Sequence, residues 1–176
     1  MVQGAGGTLS APLNEAASMM TLPSSGGQFL LQQAVFRMHK ILLLLNAAWF
    51  AAGFIAFSLR SSRFIRFLVR REDRQENSLL QLRTSLHFLG GFNFALSVFC
   101  IALAMRSSLF PDARQWQLMY AFLSLAHGMQ FLCNLPVAIR EKKKLPFAWP
   151  VLKGPMLFIF ITDALLMIAN ATAALS

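Results

Sequence analysis

Three polar residues of this chain have the side chains and the spacing for chemistry inside a membrane. His127 can donate or accept a proton near neutral pH, and Asn93 can bind a substrate oxygen. Asp163 is the one charged residue within four long apolar stretches. At 1.5 Å per residue, the three residues fall within about 3 Å of the midpoints of their stretches. They are therefore predicted to share one depth in the bilayer.

Burial of a carboxylate at that depth constrains its surroundings. An ionised Asp at the bilayer centre costs at least about 2.5–3.5 kcal/mol on insertion scales. Asp163 is therefore expected to face other helices, and either to stay protonated or to meet a donor such as His127. Helical spacing places further polar side chains near His127. The candidate polar or ligand-binding cluster consists of Asn93, His127, Gln130, Asn134 and Asp163.

This cluster has two interpretations. In the first, the polar side chains only join helix to helix, at about 0.6 kcal/mol per hydrogen bond. In the second, they form a small-lipid site or an isomerase-like active site, where His127 moves a proton, Asp163 orients it and Asn93 binds a substrate oxygen. We assign no catalytic residue, because the sequence lacks a nucleophile elbow, HExxH, P-loop or GxGxxG motif.

The remaining His and Cys residues predict neither a metal nor a cofactor. Cys100 and Cys133 do not form a CxxC pair. A bis-histidine haem needs two His at matching depths, but His87 lies only about 4–5 Å inside the end of its stretch while His127 lies near the centre. His39 is expected at the opposite interface, exposed or near lipid headgroups.

The composition indicates that lipid surrounds the elements that position these residues. Of 176 residues, 56% are hydrophobic and 13% charged, against roughly 25% charged in an ordinary soluble domain. Four apolar stretches, residues 41–59, 84–105, 118–139 and 154–175, approach the roughly 20 residues that cross a bilayer. The predicted fold class is an all-α membrane protein, a four-transmembrane-helix bundle within a single domain over residues 29–176.

The N-terminal segment, residues 1–28, is predicted to be a flexible tail. It is rich in Gly, Ser, Ala and Pro, carries Glu15 as its one charge and shows no helical periodicity. It lacks the features of a secretory signal and the arginines of a mitochondrial presequence. Targeting information is therefore expected in the membrane helices.

The positions of the basic residues explain the net charge of +9 without nucleic acid. Twelve of the 16 Lys and Arg residues lie in the loops after the first and third stretches. By the positive-inside rule, these loops face the cytoplasm or its topological equivalent, and both termini face away from it.

The first basic loop is predicted to contain an amphipathic helix. On a helical wheel, Phe64, Ile65, Leu68 and Val69 gather on one side, and most of the arginines gather on the other. These arginines are Arg60, Arg63, Arg66, Arg70, Arg71 and Arg74. They are candidate contacts for anionic lipid or a partner protein, and the alternative is ordinary topogenic charge.

Two faces of small residues predict close helix packing. The face in the second stretch comprises Gly90, Gly91, Asn93, Ser97 and Cys100. The face in the first stretch comprises Ala47, Ala48, Ala51, Ala52 and Gly53. The latter is expected to pack against a helix of this chain or of another subunit.

Residues 80–134 combine a Leu-Gln-Leu-Arg-Thr entry to the second stretch, a short polar loop, Tyr120 and a Ser-Leu-Ala-His-Gly core. This order of features resembles the small four-span sterol-biosynthesis scaffold family, and the best matches are Arg83, Thr84 and His127. Members of that family tether sterol-synthesising enzymes in the endoplasmic reticulum. The resemblance implies the same membrane and a scaffolding role for this chain.

The sequence thus predicts a non-enzymatic multi-pass accessory, scaffold or assembly subunit that holds partner membrane proteins together. Its expected partners are other integral membrane proteins and anionic lipids, with no nucleic acid. The alternatives are a lipid-modifying enzyme or small-lipid binder, and a transporter or channel. A mitochondrial or other energy-converting membrane is the alternative to the endoplasmic reticulum.

Overall fold

The computed structural model describes residues 25–69, 71–146 and 149–176. The chain divides into two compact units, residues 1–37 and 38–176. The described part of the first unit is the beginning of a helix, and the second unit holds all the features discussed below. Within the described ranges, the regular structure is helical, without a strand.

Five α-helices form the described chain: α1 Ser25–Phe54, α2 Ser61–Leu68, α3 Glu76–Met105, α4 Ala113–Lys142 and α5 Gly154–Leu175. A π-helical segment, Ile55–Leu59, continues α1. The candidate membrane spans are Arg37–Leu59, Glu76–Met105, Ala113–Lys142 and Gly154–Leu175. These helices confirm the predicted all-α membrane fold.

The helix ends agree with the sequence prediction only in part. The first, second and fourth spans end at the predicted residues 59, 105 and 175, but the second begins at Glu76 rather than at residue 84. The third extends beyond residues 118–139 at both ends. Hydropathy marks only the apolar part, while helical hydrogen bonding continues through polar turns. Helix α1 begins at Ser25, so residues 25–28 of the predicted tail are helical, and residues 1–24 lie outside the described residues.

Local sequence explains where α4 and α5 begin. An Asp112 Oδ1 atom accepts a hydrogen bond from the Arg114 backbone nitrogen at 2.9 Å, which caps the first turn of α4. Before α5, Gly154 has a φ angle of +56°, in the left-handed region that favours glycine. Pro155 follows it in the first turn, where a missing N–H costs nothing.

Helix α1 makes hydrogen bonds to each of the other membrane helices. Toward α3, the Ser97 hydroxyl donates to the Ala47 carbonyl at 2.9 Å. Toward α4 and α5, Asn46 and Trp49 reach the buried polar residues described in the next subsection. The first span is therefore the helix that connects the other three.

Two glycines allow α1 and α3 to approach closely. A Cβ atom at Gly53 would lie 2.6 Å from Asn93 Oδ1. A Cβ atom at Gly90 would collide with the Ser58 hydroxyl and lie 3.0 Å from the Ser58 backbone nitrogen. Gly91 was predicted on the same face, but it is exposed and a Cβ there would meet no atom within 4 Å. That part of the prediction is wrong, because consecutive residues point about 100° apart on a helix.

The small residues of α1 do not all face the same way. Ala47 is buried, and Ala51 and Gly53 are half-buried. Ala48 and Ala52 are exposed on the outer surface of the described structure. The predicted face is therefore divided between contacts inside the chain and a lipid-facing surface.

The helical segment after α1 is amphipathic as predicted, but its apolar side packs on the protein itself. Phe64, Ile65 and Leu68 are buried in one cluster with Leu86 of α3 and Met156 of α5. The arginines Arg60, Arg63, Arg66, Arg71 and Arg74 are exposed, and Arg70 lies outside the described residues. We call the end of the bundle that carries α2 and the α4–α5 loop the basic end. Here the outer side of α2 presents its arginines together with one exposed apolar side chain, Phe67.

Candidate functional site

A buried polar network joins α1, α4 and α5. His127 Nδ1 lies 3.1 Å from Asp163 Oδ1, and both side chains are fully buried. Trp49 Nε1 donates to the same Asp163 oxygen at 2.8 Å. Phe50 stacks on the His127 ring at a centroid distance of 4.7 Å. Asp163 thus faces the interior, as predicted from the cost of exposing it to hydrocarbon.

Two asparagines complete the polar network. Asn46 Nδ2 donates to Asn170 Oδ1 at 3.1 Å, and Asn170 Nδ2 donates to Asn46 Oδ1 at 2.9 Å. The spare hydrogens of these amides bond to the Leu42 and Leu166 carbonyls of their own helices. Both amide groups are fully buried and satisfied, which fixes their orientation.

The amide orientation determines which His127 nitrogen carries a proton. Asn46 Oδ1 can only accept, so His127 Nε2, at 2.9 Å, donates to it. One further proton lies between His127 Nδ1 and Asp163 Oδ1, on the nitrogen or on the oxygen. The pair has no net charge in either arrangement. This neutrality lets two ionisable groups remain buried at the depth where an isolated charge is most costly.

Within the predicted cluster, only His127 and Asp163 contact each other directly, while Gln130 and Asn134 line a common cavity with Asp163. Asn93 Nδ2 instead donates to the Leu89 carbonyl at 2.9 Å, within α3. Asn134 Nδ2 donates to the Gln130 carbonyl at 2.9 Å, within α4. The predicted common depth is therefore not accompanied by contact among all five residues, because these side chains point in different directions around their helices.

Sequence reasoning left three members of the polar network out of the candidate cluster. Asn46 and Asn170 were visible as polar residues on inner helix faces, and Asn170 lies seven positions after Asp163. Trp49 gave no signal, because a tryptophan in an apolar stretch is equally compatible with lipid contact.

A large cavity of about 550 Å³ lies next to the polar network, toward the basic end. Every membrane helix or its extension contributes apolar side chains to its wall, including Phe57, Phe64, Leu86, Met129, Met156 and Ile159. Its polar lining residues are Gln130, Asn134 and Asp163. Leu89, Met129 and Cys133 also line it and are exposed, so the cavity opens to the outer surface between α3 and α4.

Asp163 belongs to both the polar network and the wall of the large cavity. Its Oδ1 atom has the two partners given above, whereas its Oδ2 atom is buried and has no hydrogen-bond partner among the described residues. Buried polar atoms are nearly always hydrogen-bonded, so an unpartnered one calls for an explanation. Asp163 also lines the large cavity, so a ligand bound there is the candidate for the missing partner.

The loop between α4 and α5 forms part of the cavity wall near the basic end. Trp149 Nε1, from the loop between α4 and α5, donates to Asn134 Oδ1 at 3.0 Å. On the same loop, the Leu152 backbone nitrogen donates to Glu141 Oε2 at 2.7 Å. These bonds hold the loop beside the cavity and fix one of its two polar amides.

The other histidines and the cysteines form no site with the polar network. His39 is half-buried and lies 2.9 Å from the Tyr120 hydroxyl, rather than being simply exposed. His87 Nε2 lies 3.0 Å from the Ser61 hydroxyl. Cys100 is buried and Cys133 exposed. Among the residues that the structure describes, no group of three His, Cys, Asp or Glu side chains could hold a metal ion.

Comparisons of the chain with protein families, with curated proteins and with solved structures give no match. The function is therefore inferred from the residues and geometry of this chain.

Proposed function

We propose that this protein is a non-enzymatic, multi-pass membrane protein that binds a small hydroxyl-bearing lipid within the bilayer. The large cavity, with Asp163 in its wall, carries this proposal. Its volume of about 550 Å³ falls in the range of about 300–1,000 Å³ that is usual for small-molecule sites. The mouth between α3 and α4 faces lipid, which favours an apolar ligand that enters from the membrane.

The polar residues of the cavity wall indicate which polar group the ligand carries. Asp163 Oδ2 carries no proton in either arrangement of the pair, so it can only accept, and a hydroxyl group supplies the donor that it lacks. Gln130 and Asn134 offer further amide groups along the same wall. A fatty-acid carboxylate would instead place a second acid group beside Asp163, which is unfavourable in a low-dielectric site. A long-chain or polycyclic alcohol fits best.

The geometry of His127 favours binding over catalysis. Both of its ring nitrogens are occupied by side chains of the same chain, and Phe50 covers one face of the ring. A general acid or base needs a nitrogen within hydrogen-bond reach of its substrate. The polar network therefore acts as a support that holds Asp163 in place.

A photoreactive fatty alcohol tests this proposal in the full-length protein in nanodiscs. We expect labelling of residues that line the large cavity. The variant Cys133→Trp, which fills the mouth, should label at least ~10-fold less, equivalent to about 1.4 kcal/mol of binding. The matched control is Leu132→Trp, because Leu132 is exposed on the same helix and does not line the cavity. Quantitative mass spectrometry of the labelled peptides gives the ratio.

Two results would contradict the proposal. Equal labelling of the two tryptophan variants would show that the alcohol binds the lipid-facing surface rather than the cavity. Conversion of the alcohol by the wild type, lost in His127→Gln, would favour the lipid-modifying enzyme instead.

Scaffolding of other membrane proteins is the second candidate function. The exposed Ala48 and Ala52 favour it, because small residues on a lipid-facing helix allow a partner helix to approach closely. Ala52 also lines a groove of about 240 Å³ with Gly53, Trp49 and Asn93. Loss of a co-purifying membrane protein in Ala52→Phe, with alcohol labelling intact, would favour this function over the first.

The membrane and orientation are part of the same proposal. The basic end faces the cytoplasm and both termini face away, since twelve of the 16 basic residues lie between the first and second or between the third and fourth predicted apolar stretches. The resemblance to the small four-span sterol-biosynthesis scaffold family favours the endoplasmic reticulum. The sterol chemistry of that family also fits a protein that binds a hydroxyl-bearing lipid.

A further inference from the structure

A second cavity at the basic end has a different chemistry from the large cavity. It measures about 330 Å³ and lies between α2 and the beginning of α3. Its basic lining residues are Arg66, Arg74 and Arg83. We call it the arginine pocket, and it shares no lining residue with the large cavity.

Among the described residues, the lining of the arginine pocket carries a net positive charge. Three arginines and Glu76 line it, which gives a formal charge of +2. In the described ranges, His127 and Asp163 are the one acid–base pair within ion-pair distance, so Glu76 does not neutralise an arginine. Neither Arg66 nor Arg83 donates a side-chain hydrogen bond to another described residue. Their guanidinium groups are therefore available to an anion.

The packing of α2 and α3 fixes the positions of these arginines relative to each other. Ile65 of α2 is buried with Leu86 of α3, which holds Arg66 and Arg83 on neighbouring helices. Arg74 is held more directly, because its Nη2 donates to the Arg66 carbonyl at 3.3 Å and its Nε to the Val69 carbonyl at 3.2 Å. The helix packing thus places three arginines around one pocket, and a guanidinium group can bind phosphate through two parallel hydrogen bonds.

The same pocket has apolar lining residues that point to a membrane lipid. Leu79 is half-buried and Leu80 is 63% exposed, and both line the pocket beside the arginines. They lie in the first turns of the span Glu76–Met105, where a helix leaves the headgroup region. A soluble phosphate compound would gain nothing from these leucines, whereas the glycerol and upper acyl carbons of a phospholipid would cover them.

We propose that the arginine pocket binds the headgroup of an anionic phospholipid that ends in a phosphate monoester. A phosphate monoester carries a charge of about −1.5 to −2 near neutral pH, which matches the formal +2 of the lining residues. A phosphodiester headgroup carries one negative charge at its phosphate and leaves part of the pocket charge uncompensated. This site is independent of the alcohol site, since the two cavities share no lining residue.

Native mass spectrometry of the full-length protein tests this assignment with short-chain phosphatidic acid as the probe. The double variant Arg66→Gln/Arg83→Gln should weaken binding at least ~10-fold. The control Arg60→Gln/Arg63→Gln should change it less than ~2-fold, because it removes the same charge from exposed residues that do not line the pocket. The wild type should also prefer phosphatidic acid to phosphatidylglycerol.

Three outcomes would overturn the proposal. Equal weakening in both double variants would show that only the total charge of the loop matters. Equal affinity for phosphatidic acid and phosphatidylglycerol would exclude selection of the monoester. Competition by glycerol 3-phosphate at the same concentration as the lipid would identify a soluble phosphate compound as the ligand. Equal thermal unfolding temperatures of the two double variants would confirm that neither loses affinity by unfolding.

Discussion

Gly90→Leu is expected to lower the unfolding temperature strongly, whereas Gly91→Leu should fold like the wild type. The two glycines are neighbours in α3, but only Gly90 faces α1. Any Cβ at Gly90 meets the Ser58 hydroxyl and comes within 3.0 Å of the Ser58 backbone nitrogen, so rotation of one side chain cannot relieve the contact. The helices would have to separate.

The size of this effect follows from the cost of overpacking. Extra methylene groups in a well-packed interior typically destabilise by about 1–3 kcal/mol, and a leucine side chain adds several carbons to this contact. Gly91 is exposed and a Cβ there meets nothing, so leucine at that position should gain up to about 1 kcal/mol of helix propensity. Thermal unfolding followed by circular dichroism in detergent measures the difference. Equal unfolding temperatures would contradict the packing of α1 against α3.

Asp163→Leu is expected to be the most damaging substitution within the polar network. It removes the oxygen that accepts a hydrogen bond from Trp49 Nε1 and that shares a proton with His127 Nδ1. Each buried polar group left without a partner costs about 1–3 kcal/mol, so the loss should reach several kcal/mol. The variant should also lose alcohol binding, since Asp163 lines the large cavity.

Asp163→Asn is the matched control for that substitution. An amide keeps the shape and one oxygen acceptor, so it should retain the bond to Trp49 and lose less than half as much stability as leucine does. The free energy of unfolding in detergent, measured by reversible denaturation, compares the two variants. If Asp163→Leu were as stable as the wild type, the network would not support the bundle.

The sequence predicted the membrane helices and the buried carboxylate because both depend on the cost of transfer to hydrocarbon. The span ends at residues 59, 105 and 175 follow from hydropathy alone. Asp163 had to face other helices, and His127 was the donor at the same depth. Such conclusions need only the position of a residue along its helix.

The direction of a side chain around its helix could not be predicted equally well. Asn93 was predicted at the depth of His127, but it lies against Gly53 of α1, whereas His127 lies against Asn46 and Phe50. Gly91 was assigned to the inner face of α3, but of the two neighbouring glycines only Gly90 is buried there. These errors have one cause: the rotation of a helix in a bundle depends on the packing of all its neighbours, which a single sequence does not specify.

The sequence also did not predict whether an apolar helix face contacts protein or lipid. The pattern of α2 identified its apolar side correctly, but Phe64 and Leu68 pack against Leu86 and Met156 rather than against lipid. In a membrane protein, neighbouring helices and lipid are both apolar, so amphipathicity alone does not distinguish them. Similarly, no sequence feature indicated the π-helical segment Ile55–Leu59, which carries Phe57 to the cavity and Ser58 to Gly90.

The most direct test of the account is the lipid content of the protein taken from its own membrane in polymer nanodiscs, without detergent. Mass spectrometry of the extracted lipids should find about one hydroxyl-bearing apolar lipid per chain, enriched over the surrounding bilayer in the wild type and in Leu132→Trp. The same lipid should be absent from Cys133→Trp. A lipid composition equal to that of the bulk membrane in all three proteins would contradict the claim that the cavity beside Asp163 is a binding site.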